Sequence, residues 1–224
     1  MRSSLVLKSC ILISAIFAAS LCLYAHPQDA QDQQPAPNER QGMPPRATPA
    51  DYQGHAAAGS VTIAAEFMGH SVPTPDAVYS DELYVVVEAG LFGAPQARAT
   101  ISDSDFSLRI NGKKDLISAE RYAVVASSLK DPSWSPPKPE KSKSGTSFGG
   151  GGQTDTPPAI VHVPIGITHA MQRNVVKSVM PEGERVLPQA GLLFFEYHGK
   201  RNKIHSVELI YNGPAGKATI PLQP

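Results

Sequence analysis

Cysteine and net charge are both scarce in this chain, and each scarcity narrows what the protein can be. Its 224 residues include two cysteines, Cys10 and Cys22, and both lie in an apolar N-terminal run. If that run is removed after export, the mature chain has no thiol and no disulfide, so burial alone must hold its core. Basic and acidic residues balance at 20 each. A chain so close to neutral lacks the basic face that nucleic-acid binding requires.

Sequence motifs for catalysis and metal binding are also lacking. There is no Gly-x-Ser-x-Gly elbow, and no two of the seven histidines have the His-x-x-x-His spacing of a zinc site. Residues 127–130 (Ser-Ser-Leu-Lys) match the Ser-x-x-Lys form of penicillin-interacting enzymes. The companion motif at residues 143–145 (Lys-Ser-Gly) follows too closely to lie on a distant strand. We therefore predict no catalytic, cofactor-binding or metal-binding residues, and a protein that is not an enzyme.

The first 25 residues have the order of a secretory signal peptide. The positively charged Arg2 and Lys8 precede an apolar run over residues 10–25, which ends in the small residue Ala25. This pattern predicts cleavage after Ala25 and a secreted or periplasmic protein. The run also approaches the length that spans a bilayer, so an uncleaved segment that anchors the protein to the membrane is the alternative.

Two other segments contain few residues that can build a core. Residues 26–59 hold six prolines among Gln, Asp and Ala. Such a segment cannot offset its ordering entropy by burial, so we predict a disordered Pro/Gln-rich tether. Residues 130–159 combine prolines with four consecutive glycines at 149–152. They predict a long disordered loop, inserted into a domain that spans residues 60–224.

Alternation of apolar and polar residues predicts that this domain is mostly β. Residues 61–68, 83–91 and 106–110 place apolar side chains at alternate positions. Asn111-Gly112 follows the third segment, and this dipeptide favours the positive φ angles of a tight turn. Short strands separated by turn signals predict an antiparallel β-sandwich.

The C-terminal part repeats the alternation. Residues 192–197 and 207–211 are separated by a polar loop, and a last strand is predicted over 217–222. We predict that the first two of these segments pair as a hairpin. In the preferred register, His198 and His205 point to opposite faces.

Two segments interrupt the β pattern. Apolar residues at helical spacing between Ile167 and Val179, followed by Pro181, predict one amphipathic helix over about 166–180. Residues 121–126 fit either a helix or a strand, and we favour a strand.

Three blocks of the β pattern resemble a known group of proteins. They are Glu-Leu-Tyr-Val-Val-Val-Glu from residue 82, the Phe-x-Leu segment that ends at Asn111-Gly112, and the Gly-Leu-Leu-Phe-Phe segment from residue 191. Together they resemble uncharacterised bacterial envelope proteins, secreted or lipid-anchored, with an immunoglobulin-like β-sandwich behind a low-complexity linker. This resemblance implies a fold and an extracytoplasmic location, and it implies no catalytic residues. The chain departs from the group because it has no convincing lipidation cysteine.

These observations predict a non-catalytic binding or interaction module of the cell envelope. The partner contacts that we predict are Trp134 and the basic residues Lys200, Arg201 and Lys203. Trp134 is either a lid packed over an apolar patch or an exposed contact for a protein or a sugar. The expected partner is an envelope protein or glycan and not a nucleic acid, with membrane contact only through an uncleaved N-terminal segment.

Two alternative functions stay open at this point. One is an enzyme acting on envelope polymers, with a site built from dispersed residues that converge in a pocket. The other is a periplasmic chaperone-like assembly factor that offers an exposed sheet edge.

Overall fold

The structure is a computed structural model, and it describes residues 40–136 and 162–224. The described residues form thirteen strands and two α-helices, together with short 3-10 turns. The strands are β1 Gly54–Ala58, β2 Val61–Gly69, β3 Ser71–Pro73, β4 Val78–Asp81, β5 Tyr84–Phe92, β6 Arg98–Ile101, β7 Phe106–Ile110, β8 Ile117–Glu120, β9 Leu129–Lys130, β10 Gly183–Val186, β11 Gln189–Glu196, β12 Val207–Gly213 and β13 Gly216–Leu222. The helices are α1 Tyr122–Val125 and α2 Ile165–Ser178. The prediction of a mostly β fold is therefore confirmed.

One large antiparallel sheet dominates the fold. Its eight strands follow the order β1-β2-β5-β11-β8-β7-β12-β13. The two edge strands, β1 and β13, lie side by side, so the sheet is nearly closed. A side chain at Gly54 of β1 would meet Ile220 and the carbonyl oxygen of Pro221 in β13 at 2.8 Å. The close approach of the two edges therefore depends on a residue without a side chain at position 54.

The short strand β8 joins two parts of this sheet. Its first half pairs with β7, through Ser107↔Ser118 and Leu108↔Ile117. Its second half pairs with β11, through Phe194↔Glu120 and Phe195↔Ala119. A four-stranded part (β1, β2, β5, β11) and a three-stranded part (β7, β12, β13) thus meet at β8.

The inner face of the large sheet encloses the main core. Alternate residues of its strands point inward, as the period-two pattern predicts, and they are almost all without solvent exposure. They include Phe106, Phe195, Leu209 and Tyr211, and the ring centres of Phe106 and Tyr211 lie 5.2 Å apart. Burial of such side chains stabilises the fold by roughly 1.5–3 kcal/mol each.

A second core covers part of the outer face. Val86 and Phe194, which point outward from β5 and β11, pack against Val175 of α2 and Tyr122 of α1. The predicted helix over about 166–180 is confirmed, and it begins at Ile165 and ends at Ser178. Its buried residues include Met171, Val175 and Val176, which share one face at helical spacing.

The predicted C-terminal hairpin is wrong, although its strands exist. Strand β11 pairs with β5 over eight residues and with β8, while β12 pairs with β7 and β13. Both sides of β11 are therefore occupied, and the loop after it leads to another part of the sheet. The shared face that the pattern indicated is nevertheless found, because Phe195 and Leu209 lie in the same inner core. Alternation shows which face is buried, but it does not select the partner strand.

The segment at 121–126, for which we favoured a strand, contains helix α1. Its contacts with α2 explain the difference. The hydroxyl of Tyr122 donates to the carbonyl oxygen of Gln172 at 2.6 Å, and the side-chain amide of Gln172 donates to the carbonyl oxygen of Ala126 at 2.9 Å. This tertiary packing overrides the strand preference of the valines at 124 and 125.

The tether predicted over 26–59 is wrong for residues 40–59, which belong to the fold. Strand β1 pairs with β2 along its whole length, and Met43 bridges to Ala190 of β11. Tyr52 is 5 % exposed. The predicted domain start at residue 60 is corrected accordingly. The signal peptide predicted over 1–25 and the rest of the tether lie outside the described residues.

The loop predicted over 130–159 is described only at its start. Lys130 belongs to β9, where it pairs with Ser80 of β4, so the strand extends into the predicted loop by one residue. Residues 131–136 continue from it as a turn and irregular chain. Residues 137–159 lie outside the described part of the chain.

Candidate binding surfaces

An apolar groove lies between the residues around β9 and the first turns of α2. Its volume is about 320 Å³, and its apolar lining consists of Leu129, Trp134, Val163, Ile167 and Met171. We call it the Trp134 groove. A pocket of this size with a mostly apolar lining has the character of a ligand-binding site. The structure places the half-buried Trp134 in the lining of this groove, beside its apolar residues.

The apolar surface extends beyond the groove. Val163 at its rim is 42 % exposed, and Ile165, at the start of α2, is 63 % exposed. The sequence analysis missed this extension, because isolated apolar residues at the start of a helix carry no signal of exposure. The exposed apolar side chains at 163 and 165 thus adjoin the groove at the start of α2.

Two of the three polar residues that line the groove, Lys130 and Asp131, are engaged locally, and the third is Thr168. Lys130 pairs with Glu82, with 2.7 Å between Nζ and Oε2, and this hydrogen bond lowers the pKa of Glu82. The Asp131 carboxylate accepts hydrogen bonds from the backbone and the hydroxyl of Ser133. One cation and one anion at the rim give the groove no strong preference for a charged ligand.

The Ser-x-x-Lys segment does not assemble a nucleophile and its base. The hydroxyl of Ser128 donates to the buried Asp81 at 2.5 Å, and that of Ser127 donates weakly to the carbonyl oxygen of Val124 at 3.4 Å. The amino group of Lys130 is held by Glu82. Asp81 also accepts from the backbone amides of residues 83 and 84, so it joins β4 to the start of β5 and to the turn between α1 and β9.

The predicted basic contacts Lys200, Arg201 and Lys203 lie together in the exposed loop between β11 and β12. Residues 201–203 form one 3-10 turn there. Arg201 packs against Gly69 of β2. A Cβ added at Gly69 would lie 3.2 Å from the Nε atom of Arg201. Gly69 follows an irregularity in β2 and has a φ of +63°, which favours glycine. None of these three residues lines the Trp134 groove.

Two more lysines join this basic loop through Asn111. The Asn111 side chain donates to the carbonyl oxygen of Lys203 at 2.8 Å and accepts from the backbone amide of His205 at 2.7 Å. The exposed Lys113 and Lys114 follow in the same turn. Sequence reasoning missed them because 86 residues separate Lys114 from Lys200. The Asn-Gly signal correctly predicted the turn, in which Asn111 and Gly112 have φ angles of 55° and 63°.

The histidines that the sequence analysis considered do not converge. His198 is exposed and pairs with Glu196, with 2.7 Å between Nε2 and Oε1. His205 and His162 are exposed, and neither lines the Trp134 groove. No group of three or more His, Cys, Asp or Glu residues gathers as a metal site within residues 40–136 and 162–224.

A pair of carboxylates does meet on the outer face of the large sheet. Glu66 and Glu88 lie opposite each other in β2 and β5, and Arg46 binds both. The Arg46 guanidinium also lies 4.5 Å from the centre of the Tyr52 ring. The hydrogen bond with Glu88, opposed by burial, raises the pKa of Arg46. Because Arg46 belongs to residues 40–52 and binds both carboxylates, this cluster attaches that segment to the sheet.

The chain was compared with protein-family models, with curated proteins and with solved structures, and it matches none of them significantly. Within the described ranges, no helix combines the length and the apolar character needed to cross a membrane.

Proposed function

We propose that this protein is a non-catalytic, extracytoplasmic binding module of the cell envelope, which holds an apolar peptide segment of a partner protein in the Trp134 groove. The groove carries this proposal. It provides about 320 Å³ between two ordered elements, and apolar side chains predominate in its lining. Concave apolar sites that are already formed bind at low reorganisation cost.

The choice of a peptide over a glycan rests on the lining and the rim. Leu129, Ile167 and Met171 offer no hydrogen bonds to sugar hydroxyls, and the Oδ1 atom of Asp131 already accepts two hydrogen bonds from Ser133. The exposed Val163 and Ile165 continue the apolar surface outward. A peptide with apolar side chains at intervals can follow such a strip, with its side chains in the groove and on the rim.

We also propose the immunoglobulin-like arrangement for the large sheet. The division of β8 between two neighbours supports it, because strands that change sheets form the corners of packed β-layers. A barrel made of the same strands leaves the functional proposal intact, since the groove is formed by β9 and α2 outside the large sheet. The secreted or periplasmic location, and its membrane-anchored alternative, are proposals based on residues 1–25.

Trp134 is the only tryptophan in the chain, so its fluorescence reports on the groove directly. We would titrate the protein with a short peptide rich in leucine and phenylalanine, and with a matched peptide in which serine replaces those residues. We expect a saturable blue shift with the first peptide alone, because the ligand excludes water from the indole.

Two variants separate specific binding from non-specific effects. Val163→Gln places a polar group at the rim, and we expect affinity for the peptide to fall by about fivefold to tenfold. Val124→Gln is the matched control, because Val124 on α1 is also exposed, at 53 %, and does not line the groove. An equal response to both peptides contradicts the proposal, and so does tighter binding of a peptidoglycan disaccharide, which would assign the groove to a glycan.

A further inference from the structure

The cationic end of the large sheet is a second surface, independent of the Trp134 groove. It comprises the five residues that Asn111 brings together, and we call it the basic end: Lys113, Lys114, Lys200, Arg201 and Lys203. All five are exposed. None of them forms an ion pair with a described residue, whereas Arg40, Arg46, Arg98, Arg109 and Lys130 all do.

The local charge at this end is strongly positive although the whole chain is neutral. Among residues 111–116 and 199–206, Asp115 is the single acidic residue beside the five cations. Glu196, at the end of β11 before the loop, contacts His198, with 2.7 Å between Oε1 and Nε2. Unneutralised cations that lie close together repel one another, and an anionic partner relieves that repulsion.

An exposed leucine accompanies these cations. Leu116, in the turn that carries Lys113 and Lys114, is 46 % exposed. The turn and the loop are strand connections at the end of the sheet, so they present a projecting surface and not a cleft. A projecting leucine with lysines around it suits a lipid headgroup layer, in which the apolar side chain enters the interface and the ammonium groups reach the phosphates.

We propose that the basic end docks this protein onto an anionic phospholipid surface, with Leu116 inserted between headgroups. A planar array of phosphates can contact all five cations at once, and each cation near an anionic bilayer contributes a comparable attraction. An acidic protein is the other conceivable occupant. It is disfavoured because its carboxylates offer no partner for an exposed leucine.

The test is co-sedimentation of the full chain with two kinds of lipid vesicle. One contains about 30 mol % phosphatidylglycerol in phosphatidylcholine, and the other contains phosphatidylcholine alone. Vesicles without anionic lipid measure any binding through the apolar N-terminal run, so the difference between the two reports on the basic end. We expect binding to the anionic vesicles to exceed binding to the neutral ones, and to fall steeply as salt rises from about 0.1 M to about 0.5 M.

Matched variants locate the contact. K113Q/K114Q removes two cations of the basic end, and we expect the anionic-vesicle partition coefficient to fall by about 30-fold. K177Q/K217Q removes two other exposed lysines that pair with no residue in the described ranges, and we expect a change within about twofold. Leu116→Asn should weaken binding by about fivefold, while Val78→Asn, at a site that is 57 % exposed, should not.

Three results would overturn the proposal. They are equal binding to anionic and neutral vesicles, equal losses in K113Q/K114Q and K177Q/K217Q, and tighter binding of soluble polyglutamate than of anionic vesicles. The third would assign the basic end to an acidic protein. Circular dichroism of each variant checks that the fold is retained. None of these outcomes depends on whether a peptide binds in the Trp134 groove.

Discussion

The inner and outer faces of the large sheet are both buried, but by different parts of the chain. Phe195 points inward and is 0 % exposed, and its neighbour Phe194 points outward and is 1 % exposed. Strands on both sides of the interior bury Phe195, whereas helices α1 and α2 bury Phe194. The inner face is thus enclosed by the sheet itself, while the outer face depends on elements that dock onto it from elsewhere in the sequence.

We expect the largest effects from replacing each of these two phenylalanines in turn. Removing either ring leaves a cavity, so we expect Phe195→Ala and Phe194→Ala each to lower the free energy of unfolding by about 3–5 kcal/mol. The two variants should differ in which segments of the protein open first. In Phe194→Ala, the amides of α2 should lose protection from hydrogen exchange before those of β5 and β11, because the helix covers the outer face alone.

Hydrogen exchange followed by mass spectrometry, together with urea unfolding, measures both quantities. In Phe195→Ala we expect all protected segments to open together, because every strand of the large sheet contributes to the inner core. Simultaneous opening of helix and sheet in Phe194→Ala would show that the two faces form one cooperative unit, which contradicts the distinction.

A smaller test concerns the ion pairs that hold the N-terminal part of the fold. Arg40 and Asp103 are 2.8 Å apart, with 9 % and 6 % of their side chains exposed. We expect Arg40→Ala to lower the free energy of unfolding by about 3 kcal/mol, because it leaves a buried carboxylate without its partner. For Arg46→Ala we expect about 2 kcal/mol, because Arg46 is 31 % exposed but binds both Glu66 and Glu88.

Arg98 supplies the control for this series. Its ion pair with Glu184 is more than half exposed on both sides, and surface pairs contribute roughly 0–1 kcal/mol. Urea unfolding of all three variants should therefore rank Arg40→Ala above Arg46→Ala, and Arg46→Ala above Arg98→Ala. Three equal losses would mean that burial does not set the strength of these contacts.

The alternating inward and outward residues of the strands also explain which parts of the fold could be predicted from the sequence. Alternation identified β2, β5, β7 and β12 because each strand carries its inward residues at every second position. It could not choose strand partners, so β11 and β12 were wrongly paired. Short strands such as β8 and β9 have too few residues for a period to be recognised.

The contacts of residues 40–59 were unpredictable for a different reason. Arg46 binds Glu66 and Glu88, and Arg40 binds Asp103, so the residues that order this segment lie 20 to 63 positions away. Nothing in its proline-rich composition indicates these partners. The residues of the two candidate surfaces likewise fall into those that the sequence indicates and those that only the fold brings together. Trp134 and the basic loop could be found as unusual residues, whereas Lys113, Lys114 and the rim residues Val163 and Ile165 required the fold to bring them into place.

The smallest effect we expect is the pH dependence that the buried Asp103 gives to stability. Burial, opposed by the hydrogen bond from Arg40, raises the pKa of Asp103 above its ordinary value of 3.8. The folded state then binds a proton more readily than the unfolded state. The stability that Asp103 contributes is present in full at a pH below its ordinary pKa. It is lost as the pH rises through the pKa of Asp103 in the folded state.

Asp103→Asn removes this titration and so serves as the reference. Urea unfolding from about pH 3 to about pH 7 should show wild type losing stability relative to the variant as pH rises, until the carboxyl is ionised in both states. A wild type that instead gains on the variant would mean that attraction to Arg40 exceeds the cost of burial. In that case burial would not dominate the pKa of Asp103. The most buried of these ion pairs would then not follow the dependence on burial that we expect for the series.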